Sequence, residues 1–115
     1  LFRSTPFCNE RSGTLDDTLF YLALLRLMLP NVLLPATTAL GTIHPRGREM
    51  GVLSGANVVM PNLSPVSVRK KYMLYDGKIC TGDEAAECRM CLSRRMERIG
   101  CEVVTDRGDY KKRLA

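Results

Sequence analysis

Cys80, Cys88 and Cys91 follow one another as C-x7-C-x2-C, a spacing that lets three thiolates meet at one metal or iron–sulfur cluster. A C-x2-C pair within a helical turn can reach a single ion, and the longer spacer gives Cys80 enough chain to return to it. The three sulfurs are expected to converge near the surface, away from any catalytic pocket. The pattern lacks a fourth ligand, a place open to Cys101, water or a small molecule. Thiol–disulfide exchange is a rival use of C-x2-C, though no thioredoxin-like strand precedes it, and plain structural thiols are another. A second constellation is Thr37-Thr38, two hydroxyls at the carboxyl end of a short apolar run. Such a pair can offer hydroxyls and backbone amides to a carboxylate or other anion, unless the threonines merely suit a strand end and turn. Tyr72 and Tyr75, three apart, share a helical face that can pack on a flat cofactor or simply edge a core. His44 and Cys8 stand alone in the sequence, and a lone loop histidine is ordinarily solvated.

Positioning these groups requires a scaffold. Thr14 is a good N-cap with Asp17 three residues on, and it predicts a helix from Leu15 to about Leu29. That helix is apolar over more than one stripe, so it should be buried on several sides. After Pro30-Asn31, the run Val32 to Pro35 reads as a strand ending at Ala36-Thr37-Thr38. A loop containing Gly41, Pro45 and Gly47 then leads into a helix that stops at Gly55. Val58-Val59-Met60 is a second strand, broken by Pro61-Asn62. Two short, unalternating apolar strands joined by a helical crossover predict parallel neighbours. Thr37, Thr38, Met60 and Asn62 should then gather at one end, where α/β folds place their chemistry. Ser64-Pro65 opens a further helix to about Tyr75, and Asp83 could cap another through Arg98, closed by Gly100. Glu49 is expected to complement a helix N-terminus, with Arg69, Lys70 and Lys71 on a solvated face.

Two strands cannot cover the apolar faces of these helices. The fold class is therefore α/β, and the chain reads as the last third of a larger sheet or barrel rather than an independent domain. Alone, it should expose apolar side chains and associate. Its net charge of +5 is concentrated after Val68, notably in Arg94-Arg95, Arg98 and Lys111-Lys112-Arg113. No aromatic stacking platform accompanies these basic residues, which argues against nucleic-acid binding and for a solvated face. The longest apolar run, Leu19 to Leu29, is interrupted by Arg26 and is too short to span a bilayer. Five cysteines without a secretory signal layout predict a reducing, cytoplasmic setting and a metal site rather than a disulfide framework.

The motifs LPATTALGTIHPRGRE, GANVVMPNLSP and RKKYMLYDGKIC, followed by Cys88-x2-Cys91, resemble the carboxyl-terminal third of the HydE family of FeFe-hydrogenase maturases. These are radical S-adenosylmethionine enzymes of the biotin synthase-like superfamily. The resemblance runs from about Gly13 to Gly100. It implies the last two βα units of a (β/α)8 TIM-type barrel plus carboxyl-terminal helices, with the region associated with biotin and thiamin synthesis. It also implies S-adenosylmethionine and a 4Fe-4S cluster that together generate a 5'-deoxyadenosyl radical. The substrate it implies is a cysteine-ligated iron–carbonyl–cyanide precursor, and the partners are other hydrogenase maturation proteins. Carried over residue by residue, Thr37 and Thr38 line the substrate or anion site, and Met60, Tyr72 and Tyr75 line the S-adenosylmethionine pocket. Cys80, Cys88 and Cys91 match ligands of an auxiliary cluster, such as 2Fe-2S, found in some members. The radical-generating C-x3-C-x2-C triplet is absent from these 115 residues, so its ligands are expected upstream and the chain by itself is expected to be inactive. Biotin synthase-like and methylornithine synthase-like enzymes are the neighbouring alternatives. A stand-alone iron–sulfur module, and an interaction domain built on the basic helix from Asp83 to Arg98, are readings of other kinds.

Overall fold

The computed structural model describes residues 5–69, 71, 77–79 and 85–109. Helix α1 spans Leu15–Met28, strand β1 Pro35–Ala36, helix α2 Thr38–Ile43 and helix α3 Gly47–Leu53. Strand β2 is Val58–Val59, followed by α4 (Val66–Arg69) and α5 (Ala85–Glu97). The result is mixed helix and small sheet, consistent with α/β.

The start of α1 follows from its cap. Thr14 Oγ1 accepts the Asp17 backbone N–H at 3.1 Å and donates to Asp17 Oδ2 at 2.6 Å. This reciprocal pairing satisfies amide groups that the first helical turn leaves open. As expected of this segment alone, the broad apolar surface of α1 is largely uncovered, and Leu22 is its one buried residue. Phe20, Tyr21, Leu27 and Met28 are all more than half exposed. No helix among the described residues is long and apolar enough to cross a membrane.

β1 and β2 pair in parallel, Pro35 opposite Val58 and Ala36 opposite Val59, as the strand–helix–strand pattern predicts. Asn57 fixes the register. Its side-chain oxygen accepts the Leu34 N–H at 2.8 Å, and the Leu34 carbonyl accepts the N–H groups of Asn57 and Val58. The first strand begins later than the apolar run suggested, because Val32 N–H bonds back to Leu29 O and prolongs the turn. The segment expected as a loop after Thr38 contains α2. A glycine inside so short a helix costs about 1 kcal/mol relative to alanine. Burial of Leu40 and Gly41 against α3 overrides that local preference.

α3 ends as expected at Gly55, whose φ of +121° suits glycine. Gly55 N–H bonds to Val52 O and Ala56 N–H to Gly51 O, the paired closure of a Schellman motif. α5 closes in the same way, with Gly100 N–H on Glu97 O and Cys101 N–H on Met96 O. Its proposed cap, Asp83, lies outside the described residues. The core joins Leu22, Ala36, Leu40 and Ala56, with Leu15, Leu19, Leu34, Val52 and Val59 packed around them. On α5, Cys88, Leu92 and Met96 form a buried stripe at four-residue spacing.

Arg69 departs from the expected solvated face. It is 3% exposed, and its guanidinium donates to Ser64 O at 2.7 Å and Asn62 O at 3.2 Å. An arginine can be buried where its N–H groups meet carbonyls, and here they lock the loop after β2 onto α4. Lys71 is exposed as expected, whereas Lys70 lies outside the described residues.

Candidate functional site

The parallel register places the residues after Ala36 and Val59 at one end of the strand pair. Thr37, Thr38 and Met60 therefore start from the same end, as expected of a crossover unit. Thr37 occupies the N-cap position of α2 with extended backbone, yet its hydroxyl makes no cap hydrogen bond. Thr38 opens the helix, and its carbonyl accepts Thr42 Oγ1 at 3.3 Å. Both threonines are half-buried, and Met60 is 44% exposed, so this end keeps accessible hydroxyls beside an apolar side chain.

Asn62 ties this end to α5. Its backbone N–H donates to Cys88 Sγ at 3.2 Å, and its side-chain oxygen accepts the Ser64 N–H. Cys88 is 3% exposed. The apolar stripe of α5 carries it inward, while Cys91, one turn on, is exposed. Cys80, Tyr72 and Tyr75 lie outside the described residues. Among the described residues no three cysteine, histidine or acidic side chains form a group able to hold a metal. Cys88 nonetheless has a feature that suits an iron–sulfur ligand, since an N–H aimed at sulfur stabilises thiolate charge and tunes a cluster.

Cys91 faces a groove of about 530 Å³ between the start of α3 and α5, shared with Arg46, Glu49, Met90, Arg94 and Arg98. An ion pair that sequence reasoning missed closes its floor. Arg95 Nε and Nη2 grip the two Glu49 carboxylate oxygens at 2.6 and 2.8 Å, and Nη2 also donates to the Pro45 carbonyl. Glu49 does lie in the first turn of α3, where a backbone N–H also bonds its carboxylate, and both of its oxygens meet Arg95 as well. The partners are 46 residues apart, so no local spacing announces them. His44, also named from the sequence, uses its Nδ1 to accept the Arg46 backbone N–H at 3.1 Å.

Burial by itself pushes the Glu49 carboxyl up. The Arg95 hydrogen bond, a backbone N–H and the charges of Arg95 and Arg48 outweigh that, so its pKa falls below the ordinary 4.5. A carboxyl with a lowered folded-state pKa adds stability that is complete above its unfolded value and fades as pH falls through the folded one. Glu49→Gln should therefore cost about 1.5–3 kcal/mol at neutral pH. It should also flatten the decline in melting temperature on acidification below about pH 4.5. Thermal unfolding of the full-length polypeptide from neutral to acid pH checks this. Identical acid profiles for wild type and variant would remove the ion pair from the stability account.

A parallel βαβ-type unit with hydroxyls at its carboxyl end and a cysteine-bearing helix beside it defines an α/β protein of the kind that builds sites at strand ends. No family model matches the chain. Over 108 residues, 94% of its length, it is 44% identical to the FeFe hydrogenase maturase subunit HydE of Thermotoga maritima. The aligned region is the carboxyl-terminal part of that protein, in agreement with the motif resemblance. The chain spans 31% of the length of that relative.

Proposed function

We propose that the chain forms the carboxyl-terminal wall of a radical S-adenosylmethionine enzyme that acts in FeFe-hydrogenase maturation. The observation that carries this reading is the 44% identity to HydE along nearly the whole chain. The strand-end geometry supports it. Half-buried Thr37 and Thr38 supply hydroxyls to an anionic group of the substrate, an iron-bearing small molecule. Met60, with Tyr72 and Tyr75, supplies apolar surface to the cofactor. The 4Fe-4S cluster of such an enzyme supplies the electron that cleaves S-adenosylmethionine, and its ligands lie outside these 115 residues. Cys80, Cys88 and Cys91 hold an auxiliary cluster, with the Asn62 N–H supporting Cys88. The exposed face of α1 (Phe20, Tyr21, Leu27 and Met28) packs against the rest of the barrel. That exposure favours a barrel segment over a stand-alone iron–sulfur module.

The test is anaerobic reconstitution of the full-length polypeptide with iron and sulfide, followed by S-adenosylmethionine binding and cleavage assays. Thr38→Val should slow substrate conversion by about 10-fold or more, the scale of one lost hydrogen bond to a charged group. It should leave S-adenosylmethionine affinity unchanged. Replacing Cys80, Cys88 and Cys91 together with serine should lower bound iron while retaining cleavage. Full substrate turnover in Thr38→Val would end the anion-site assignment. Loss of cleavage in a folded triple variant would reassign the cysteines to the radical-generating chemistry.

A further inference from the structure

Among the described residues, Arg26, Arg48 and Arg69 direct their guanidinium groups toward the backbone interior rather than to a carboxylate, and they are not alike. Arg26 donates to four backbone carbonyls through Nε and Nη1, which leaves its buried Nη2 without a hydrogen-bond partner among the described residues, and Arg69 donates to the carbonyls of Asn62 and Ser64. Arg48, on α3, is 2% exposed, and unlike the other two its guanidinium makes no hydrogen bond among the described residues, its Nε and Nη1 being sealed from solvent without a partner there. Glu49 feels its charge, but both Glu49 oxygens are held by Arg95. An unpaired buried cation is among the least tolerable features of a folded chain.

The surroundings are shaped to hold the side chain there. Gly41 of α2 lies against it, and a Cβ at that position would stand 3.2 Å from Arg48 Nε and 2.8 Å from Ile79 Cδ1. The absence of a side chain at Gly41 lets the arginine stem lie close along α2, while Ile79 covers the same place. A planar guanidinium takes a carboxylate side-on through Nε or end-on through its terminal nitrogens.

We propose that Arg48 is the receptor for a carboxylate that the described residues do not supply. That carboxylate comes either from an acidic side chain elsewhere in the full-length polypeptide or from a free small molecule, and the chemistry at Arg48 is the same for both. The inference stands apart from the radical-enzyme reading, because it rests on the buried charge and its missing partner.

Acetate, with chloride at equal ionic strength as control, is the probe in thermal unfolding of the full-length polypeptide. If the source is a small molecule, acetate raises the melting temperature to a plateau. Arg48→Gln then weakens the apparent affinity about 10-fold or more, and Arg48→Lys, which keeps the charge but loses the fork, weakens it too. If the source is the polypeptide, acetate has no effect. A crystal structure of the wild-type protein then places an Asp or Glu oxygen within about 3.2 Å of an Arg48 nitrogen. Converting that acid to its amide lowers the melting temperature as Arg48→Gln does, and the double variant is no worse than either single one. The wild-type crystal structure decides the matter even if the Arg48 variants fail to fold. An Arg48 guanidinium with no carboxylate in reach, in a protein whose melting temperature is indifferent to acetate, overturns the proposal.

Discussion

Gly47→Ala is expected to destabilise the protein by about 3–5 kcal/mol, a very large effect for one added methyl group. The added Cβ would sit 2.1 Å from the carbonyl oxygen of Leu40 and 2.7 Å from its carbonyl carbon. Those are backbone atoms, so no rotamer change relieves the clash. The oxygen is also engaged, accepting the His44 N–H that closes the end of α2. Moving it away breaks that closure and pulls Leu40, 2% exposed, from the centre of the core. Gly13→Ala is the matched control, since nothing lies within 4 Å of a Cβ there. Urea unfolding of the full-length polypeptide should show the Gly47 variant shifted far below wild type and the Gly13 variant close to it. Equal midpoints for the two variants would show that the α2–α3 corner is looser than this packing implies.

The features readable from the sequence are those with a local cause. Thr14 and Asp17 announce the start of α1 because their reciprocal bonds span only three residues. Gly55 and Gly100 mark helix ends because a left-handed residue there suits glycine above others. The parallel pairing was legible from two short apolar runs flanking a helical segment, which also brought Thr37 and Met60 to one end. α2 was missed because Gly41 and the neighbouring threonines argue against helix locally, and only contact with α3 decides otherwise. The Glu49–Arg95 pair, the burial of Arg48 and the Asn62–Cys88 contact depend on segments far apart in the chain. A charged residue carries no mark of whether its partner is water or a distant side chain. Arg69 reads as solvated beside Lys70 and Lys71 for that reason, although its guanidinium serves carbonyls a few residues back.

Arg26 is the other position where one substitution should have a large effect. In the sequence it is the charge that interrupts an apolar run. In the fold it joins three segments. Nε donates to Gly55 O at 2.8 Å, and Nη1 donates to Pro30 O at 2.8 Å and Val32 O at 2.9 Å, with Leu29 O at 3.4 Å. It thereby binds the end of α1, the turn into β1 and the end of α3. Arg26→Met keeps much of the apolar stem but strips the hydrogen-bond donors from these carbonyls. Hydrogen bonds from a charged donor contribute about 1.5–3 kcal/mol each, and bonds made by one side chain do not add in full. The expected net loss is about 3–5 kcal/mol. Arg26→Lys should recover part of it, because a single ammonium can reach some of these carbonyls but lacks the planar fork that spans them. Denaturant midpoints of the two variants in the full-length polypeptide provide the measurement. A methionine variant within about 1 kcal/mol of wild type would show that water replaces the guanidinium at all of these carbonyls, and that packing alone holds α1 to the strand pair.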